Sequence, residues 1–163
     1  MCVIIDTNAF SSVFKKTIDH DDFTPLLNWL ETDKGCWVYG GTKYKEEINK
    51  ASFILSYMSE LEKSNKLRQI NDTKVDQREI EIKNKINSDV CDDTHLIAIV
   101  IESGCSFICS KDNSADRFLK DRRLYPSNIN PPKIYRNKNH KNLLNPHSIK
   151  QNCCYCRKKS NRK

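Results

Sequence analysis

The chain has 163 residues, of which 37% are apolar and 30% charged. This length and balance suit one globular domain with its own core, and no apolar run approaches the roughly 20 residues that a membrane span needs. The first residues lack the basic start and long apolar stretch of a secretory signal. We therefore expect a cytoplasmic protein without a membrane segment, in which the eight cysteines are reduced and form no disulfide framework.

The formal net charge of +7 is unevenly distributed. Residues 120–163 carry thirteen Lys or Arg and one acid, whereas residues 1–119 carry fifteen Lys or Arg and twenty Asp or Glu. A basic tail suits phosphate backbones, and an acidic body suits cations. The asymmetry favours contact with a nucleic acid, and a tail that only aids solubility is the alternative.

Short apolar runs alternate with helical patterns along the chain. Strands are predicted at 3–5, 37–39, 106–110 and 133–135, each consisting mainly of apolar residues. Helices are predicted at 9–17, 24–30, 42–66, 75–87, 92–102 and 115–121. Thr24 is the expected N-cap of the second helix, and Gly104 the stop signal after the fifth. Strands that alternate with helices predict an α/β fold with a mainly parallel sheet.

No internal repeat and no linker between two cores is visible. We assign residues 1–135 to one domain and residues 136–163 to a basic, Cys-containing C-terminal tail. The tail has too few apolar residues to fold alone, although Leu143 and Leu144 could dock on the body.

Four acids stand at equivalent ends of the predicted elements. Asp6 follows the first strand, Asp112 follows the third, Glu47 lies early in the helix after the second, and Asp93 begins the buried helix that leads into the third. Ligands of open α/β sheets bind at the carboxyl ends of the strands. Carboxylates that meet there repel one another unless a cation such as Mg²⁺ or Mn²⁺ joins them. The pattern predicts metal-assisted phosphodiester hydrolysis, with these four acids as catalytic and metal-binding residues.

Each acid also has a simpler interpretation when it is taken alone. Asp6 and Asp93 could cap helices. Glu47 could be a solvent-facing residue beside Glu46, and Asp112 could be an ordinary turn residue.

Four segments resemble the PIN-domain nucleases: VIIDTNAF (3–10), TKYKEEI (42–48), DDTHLIAIV (92–100) and FICSKDNSADRF (107–118). The resemblance implies a three-layer α/β/α fold around a parallel sheet and metal-dependent cleavage of single-stranded or structured RNA. Many members are toxins of toxin–antitoxin pairs, and others process RNA. It therefore implies RNA as the substrate, with an antitoxin or inhibitor protein and self-association as possible further partners.

Carried over residue by residue, the first acid is Asp6, with Thr7 and Asn8 as its polar companions. The helix glutamate is Glu47, because an apolar residue follows it, and Glu46 is the alternative.

The third acid is Asp93, with Asp92 as the alternative, and the fourth is Asp112, preceded by the hydroxyl of Ser110. Many members place another acid where this chain has Ser114, and Asp116 is the candidate substitute. His95 recurs in some relatives, but a packed or surface histidine is the favoured interpretation.

The tail offers further candidates. Cys153 and Cys156 form a single C-x-x-C, too few ligands for structural zinc even with His140 and His147 nearby, so reduced cysteines are favoured. The segment KIYRNKNHKNLL (133–144) resembles a C-terminal element of some PIN proteins, and its alternative role is a strap across the sheet edge. The predicted nucleic-acid contacts are Lys138, His140, Lys141, Arg157, Lys158 and Lys159.

The favoured function is a metal-dependent endoribonuclease, either a toxin or a defence or RNA-processing enzyme. The alternatives are a nuclease that cuts single-stranded or flap DNA and a non-catalytic RNA-binding module on the same fold.

Overall fold

A computed structural model describes residues 1–32, 35–86 and 91–145. Its centre is a sheet of five parallel strands in the order β3-β2-β1-β4-β5. The strands are β1 (Cys2–Ile5), β2 (Cys36–Tyr39), β3 (Leu67–Gln69), β4 (Phe107–Cys109) and β5 (Lys133–Tyr135). Helices cover both faces of the sheet, so the fold is the expected three-layer α/β/α sandwich.

Seven α-helices lie within the described ranges. They are α1 (Phe10–Phe14), α2 (His20–Glu31), α3 (Thr42–Lys50), α4 (Ile54–Lys63), α5 (Asp72–Lys85), α6 (Thr94–Ser103) and α7 (Asp116–Leu119). No helix there is both long and apolar enough to cross a membrane.

The core lies around β1, which is fully buried along its length, and around α6. Every residue of α6 except Glu102 is buried, because its apolar side chains surround the helix. The helix ends as predicted at Gly104, which has a φ of 66° and therefore adopts the left-handed conformation that favours glycine.

The predicted helix over 42–66 is wrong in its length. It is broken after Lys50, because Ala51 has a ψ of 59° and leaves the helical region, and α4 starts afresh at Ile54. The last residues of the range then lead into β3, a strand that the sequence did not predict. Its three residues, LRQ, include one apolar side chain, so an edge strand of this kind leaves almost no hydrophobic pattern.

Thr24 is not an N-cap. Helix α2 begins four residues earlier, at His20, and the Thr24 hydroxyl donates to the His20 carbonyl at 3.1 Å inside the helix. The Thr-Pro pair looked like a helix start, yet the acids Asp21 and Asp22 occupy the actual first turn. Helix α5 also begins earlier than predicted, after Asn71, whose side chain accepts from the backbone N–H of Lys74 at 3.0 Å; residue 87, the predicted end, lies outside the described residues.

The start of the basic tail is part of the folded body. Residues Lys138–Leu144 form a 3₁₀ helix that packs against α2. Leu143 and Leu144 are partly buried against the core. This segment is therefore a strap on the domain, as the alternative interpretation of 133–144 anticipated.

Candidate active site at the carboxyl ends of the strands

The residues that follow β1 and β4 lie side by side. The backbone N–H of Asp6 donates to the carbonyl of Cys109 at 2.8 Å, which continues the pairing of the two strands by one residue. The backbone N–H of Ser110 donates in turn to Tyr135 at the end of β5. The two central strand ends thus place Asp6 and Ser110 at the same edge of the sheet.

Asp6 is held by several donors in a buried position. Ser110 Oγ and Asn8 Nδ2 both donate to Asp6 Oδ2 at 2.7 Å, and the Asn8 backbone N–H donates to Oδ1 at 3.3 Å. The Asn8 side-chain oxygen also accepts from the backbone N–H of Lys111 at 2.9 Å, which joins the two loops. Asp6 thus caps a short 3₁₀ turn, which is the simpler of its two sequence interpretations, from a position at the carboxyl edge of the sheet.

Burial dominates the electrostatics of Asp6, which is 3% exposed. It raises the pKa from 3.8 to about 6, with the negative charge of Asp93 adding to the effect, while the Ser110 hydrogen bond acts against it. The ionised form of Asp6 is therefore unfavourable in this buried position, and a bound cation would stabilise it.

Glu47 lies on the buried side of α3, whereas its neighbour Glu46 is exposed. The Thr7 hydroxyl donates to Glu47 Oε2 at 2.9 Å, and His95 Nε2 lies 3.6 Å from the same oxygen. Burial acts to raise the pKa of Glu47, but His95 and Thr7 outweigh it and hold the pKa below its ordinary value. The geometry supports Glu47, and not Glu46, as the helix glutamate of the site.

His95 is the residue whose role the sequence understated. It is 2% exposed and packs with its ring 6.0 Å from that of Tyr44, beside Glu47. Neither ring nitrogen has a hydrogen-bond partner within the described part of the chain. The favoured interpretation, a packed histidine, is correct as to burial, but its edge faces a site acid. The sequence signal was its position two residues after Asp93, which puts it on the first turn of α6.

Asp93 stands at the N-cap of α6 but makes no side-chain capping hydrogen bond. Its carboxylate is therefore not used in capping the start of the helix. Burial raises its pKa, and the negative charges of Asp112 and Glu47 raise it further. Asp92 is exposed, and its carbonyl accepts a hydrogen bond from Lys43. Asp93 is thus the member of the pair that is coupled to the other acids.

Asp112 is partly exposed in the loop after β4. Its two carboxylate oxygens accept from the Ser114 backbone N–H at 2.7 Å and from the Ser114 hydroxyl at 2.8 Å, and these bonds hold its pKa below the ordinary value. The Asp112 backbone N–H donates to Ser110 Oγ at 3.1 Å, which connects it to Asp6 through one hydroxyl. Ser114, which stands where many PIN members carry an acid, here fixes the carboxylate of Asp112.

Asp116 is neutralised by two cations. Arg136 donates to one of its carboxylate oxygens, and Lys120 Nζ lies 2.7 Å from the other. The same Arg136 guanidinium donates to the Asp112 carbonyl at 3.0 Å. Asp116 and Arg136 therefore anchor the loop that carries Asp112, and Asp116 is not placed as a spare fifth acid.

A polar cleft of about 180 Å³ opens beside Asp93 and Asp112. Asp92, Ser114, Arg117 and Phe118 are among its other lining residues. The guanidinium of Arg117 lies over the Phe118 ring, 4.5 Å from its centroid. Sequence reasoning did not single out this Arg–Phe pair, since it lies in a polar helical turn without any motif.

Within residues 1–32, 35–86 and 91–145, no group of three or more His, Cys, Asp or Glu side chains is arranged to hold a metal ion. The four predicted acids thus share one edge of the sheet and are coupled through their charges, but they do not meet in a ligand geometry.

Three of the six predicted nucleic-acid contacts lie on the strap, and the other three lie outside the described residues. Lys138 and Lys141 are exposed on the strap, where Lys138 Nζ lies 3.9 Å from Asp22 Oδ1. His140 Nδ1 accepts from the Arg136 backbone N–H at 3.2 Å, so this nitrogen already has a structural role. The other residues considered in the tail lie outside the described residues: Arg157, Lys158, Lys159, His147 and the cysteines at 153–156.

No protein-family model, no curated protein and no solved structure matches this chain. The likeness to PIN nucleases therefore depends on the four motifs alone. The three-layer fold that it implies is the observed one, but such a fold hosts many functions. The side chains at the carboxyl edge of the sheet therefore decide which function this chain can support.

Proposed function

We propose that this chain is a metal-dependent endoribonuclease. One observation carries the proposal: four carboxylates from distant parts of the chain lie toward the carboxyl edge of the sheet and act on one another through their charges. The charge of Asp93 raises the pKa of Asp6, and the charges of Glu47 and Asp112 raise that of Asp93. Four unrelated caps or turn residues would have no reason to be coupled in this way.

The donor set fits a hard divalent cation in its chemistry. All four acids offer oxygen atoms, which Mg²⁺ and Mn²⁺ take as ligands. Repulsion between the acids would be relieved by a positive charge among them. Because no three described acidic, His or Cys side chains have a ligand geometry, binding must draw the carboxylates inward. Such an ion would supply Lewis-acid stabilisation of the phosphate and activation of the attacking water.

The protein's own residues divide into a fixed pair and a cleft pair. Asp6 and Glu47 are fixed by hydrogen bonds from Ser110, Asn8 and Thr7. Asp93 and Asp112 line the open cleft, where a phosphodiester can approach. With two acids fixed and two lining the cleft, side-chain movements alone would suffice to bring the four together around an ion that orients a phosphate.

The cleft walls suit a single strand. The Arg117 guanidinium lies over the Phe118 ring, so the surface offered to a base is this planar cation stacked on an aromatic ring. A base can reach such a surface only when it is unpaired. The preference for RNA over DNA comes from the resemblance. A toxin role, an antitoxin partner, self-association and a cytoplasmic location stay predictions.

The test is incubation of the full chain with end-labelled pools of single-stranded RNA, duplex RNA and single-stranded DNA, each with Mg²⁺, Mn²⁺ or EDTA. The proposal expects internal cuts in single-stranded RNA with either ion and none with EDTA. Cleavage confined to DNA would show that the substrate is DNA and not RNA. RNA that is bound but left intact under every condition would contradict the enzyme and favour a binding module.

A further inference from the structure

Two cysteines face each other at the amino ends of β1 and β2. Cys2 and Cys36 are direct partners in the parallel register of the two strands. Because side chains alternate between the faces of a sheet, this register puts both thiols on the same face. Their Sγ atoms are 2.6 Å apart.

That separation is unusually short for two sulfur atoms. It is below the usual N–H···O distance of about 2.9 Å, although sulfur is much larger than nitrogen or oxygen. A disulfide bond measures about 2.05 Å, so the sulfurs need to move together by about 0.5 Å. Neighbouring strands are about 4.8 Å apart, within the range of Cα separations that a disulfide spans. The strand pairing therefore holds the two thiols in a position to bond without moving the backbone.

The different exposure of the two thiols predicts which one reacts with an oxidant first. Cys2 is fully buried, whereas Cys36 is partly exposed and can meet an oxidant from solvent. The other described cysteines, Cys91, Cys105 and Cys109, are all buried. Burial raises the pKa of the Cys91 and Cys109 thiols, which lowers the fraction of reactive thiolate there.

We propose that Cys2 and Cys36 are a redox pair that closes to an intramolecular disulfide on exposure to a peroxide. Hydrogen peroxide oxidises the Cys36 thiol to a sulfenic acid and releases one water. The Cys2 sulfur then attacks the Cys36 sulfur, the S–S bond forms, and the sulfenic oxygen leaves as a second water with the Cys2 proton. Two thiols and one peroxide thus give one disulfide and two waters, and a dithiol such as dithiothreitol reverses the reaction by exchange.

The bond would clamp β1 to β2 at the end of the sheet opposite the acids. It closes the chain from residue 2 to residue 36 into a loop, which restricts the unfolded state and stabilises the folded one. Asp6 and Glu47 follow these same two strands at their other ends. Oxidation therefore fixes the register on which their approach depends, without touching either side chain. This inference stands apart from the proposed function, since it needs no catalysis.

Peptide mapping tests the pair directly. The full chain is treated with a small excess of hydrogen peroxide, remaining thiols are blocked with iodoacetamide, and the protein is digested with trypsin without reduction. Cleavage after Lys or Arg leaves Cys2 in peptide 1–15 and Cys36 in peptide 35–43, each with a single cysteine. The expected product is these two peptides linked, lighter than their sum by two hydrogens and separated by dithiothreitol.

Two variants and a melting curve complete the experiment. Cys36→Ser removes the pair, whereas Cys105→Ser removes the thiol that contacts the Cys2 carbonyl at 3.1 Å and leaves the pair intact. Oxidation should raise the melting midpoint by several degrees in the wild type and in Cys105→Ser, and should leave it unchanged in Cys36→Ser. Recovery of both peptides separately alkylated, or linkage of peptide 1–15 to peptide 86–111, overturns the proposal. So does over-oxidation of Cys36 without a bond, and none of these three readouts needs a variant to fold.

Discussion

His95 Nε2 lies 3.6 Å from Glu47 Oε2, inside the protein, with the imidazole only 2% exposed. Neither of its nitrogens has a hydrogen-bond partner in the described residues. A buried polar group without a partner costs about 1–3 kcal/mol. Buried polar groups without a partner are typical of functional sites, where activity is retained at a cost in folding stability.

Replacing His95 with Leu should separate its functional and structural effects. The free energy of unfolding should change by no more than about 1 kcal/mol, because the gain from replacing an unsatisfied polar group is offset by the loss of the charge that stabilises ionised Glu47. The pKa of Glu47 should rise, because burial is then opposed only by Thr7 and more distant charges. RNA cleavage should fall by about 10–100-fold, the usual effect of losing a supporting residue at a metal site. Carbon-13 NMR of the Glu47 carboxyl, with His140→Leu as the control, tests this, and an unshifted titration in His95→Leu would show that the pair is not coupled.

Stability of the metal-free protein should depend on the ionisation of Asp6. Its pKa is 3.8 when unfolded and about 6 when folded, so the folded state holds the proton more tightly between these values. The stabilisation from that proton is full below pH 3.8 and is lost as the pH rises through about 6. The difference corresponds to at most about 3 kcal/mol.

Asp6→Asn should therefore stabilise the metal-free protein at pH 7.5 by about 1–3 kcal/mol. Near pH 3.5 the substitution should leave the free energy of unfolding unchanged. The amide keeps an oxygen that can accept from Ser110 and Asn8. Urea unfolding at both pH values measures this. Destabilisation at pH 7.5 would mean that the charge of Asp6 is already compensated in the folded state.

The sequence predicted the fold class and the acids that follow the central strands, because both follow from strong local signals. Val3–Ile5 and Phe107–Cys109 are apolar throughout, and an acid follows each within three residues. The strand β3 and the helix break at Ala51 were not predicted, because neither segment has a hydrophobic period or contains a Gly or Pro. Their form depends on tertiary packing, which local pattern does not encode.

The positions of the candidate acids along the strands and helices could be predicted, but their contacts could not. Sequence order indicated Asp6 and Asp93, yet it could not show that Ser114 fixes Asp112 or that Arg136 neutralises Asp116. Arg136 is distant in the chain from the loop it anchors, and ion pairs of this kind leave no spacing pattern. The contact between Cys2 and Cys36 was missed for the same reason, because it depends on strand register.

Mg²⁺ or Mn²⁺ should raise the melting midpoint of the reduced protein. A ligand of the native state at about 100 times its dissociation constant adds about 2.7 kcal/mol, which corresponds to about 5–10 °C for a domain of this size. Asp93→Asn should lose most of this gain, whereas Glu46→Gln, which changes an exposed acid that does not line the cleft, should keep it. Differential scanning calorimetry with and without the ion measures this shift. A wild-type melting midpoint that does not change with millimolar metal would argue against the site.

Removal of residues 146–163 should weaken RNA binding without unfolding the domain. This segment contains six Lys or Arg and no acid, and its removal leaves the strap on α2 in place. If three of these cations contact phosphates, the slope of log affinity against log salt should become less steep by about 2. Binding curves at several salt concentrations test this.

The matched control for the tail is the double variant Leu143→Ala, Leu144→Ala. It should lower the melting midpoint, since both side chains pack against the core, but leave the salt slope unchanged. A truncated chain with the wild-type slope would show that the last residues do not touch RNA.

The most direct test of the central claim is single-turnover cleavage of labelled single-stranded RNA by two matched pairs of variants. Glu47→Gln and Asp93→Asn change coupled site acids, whereas Glu46→Gln and Glu62→Gln change exposed acids that do not line the cleft. The account predicts that the first pair loses a factor on the order of 100 or more in rate at saturating Mn²⁺, and that the second pair cleaves at the wild-type rate. Equal rates in both pairs, or an equal loss in both, would contradict a catalytic site built from these carboxylates.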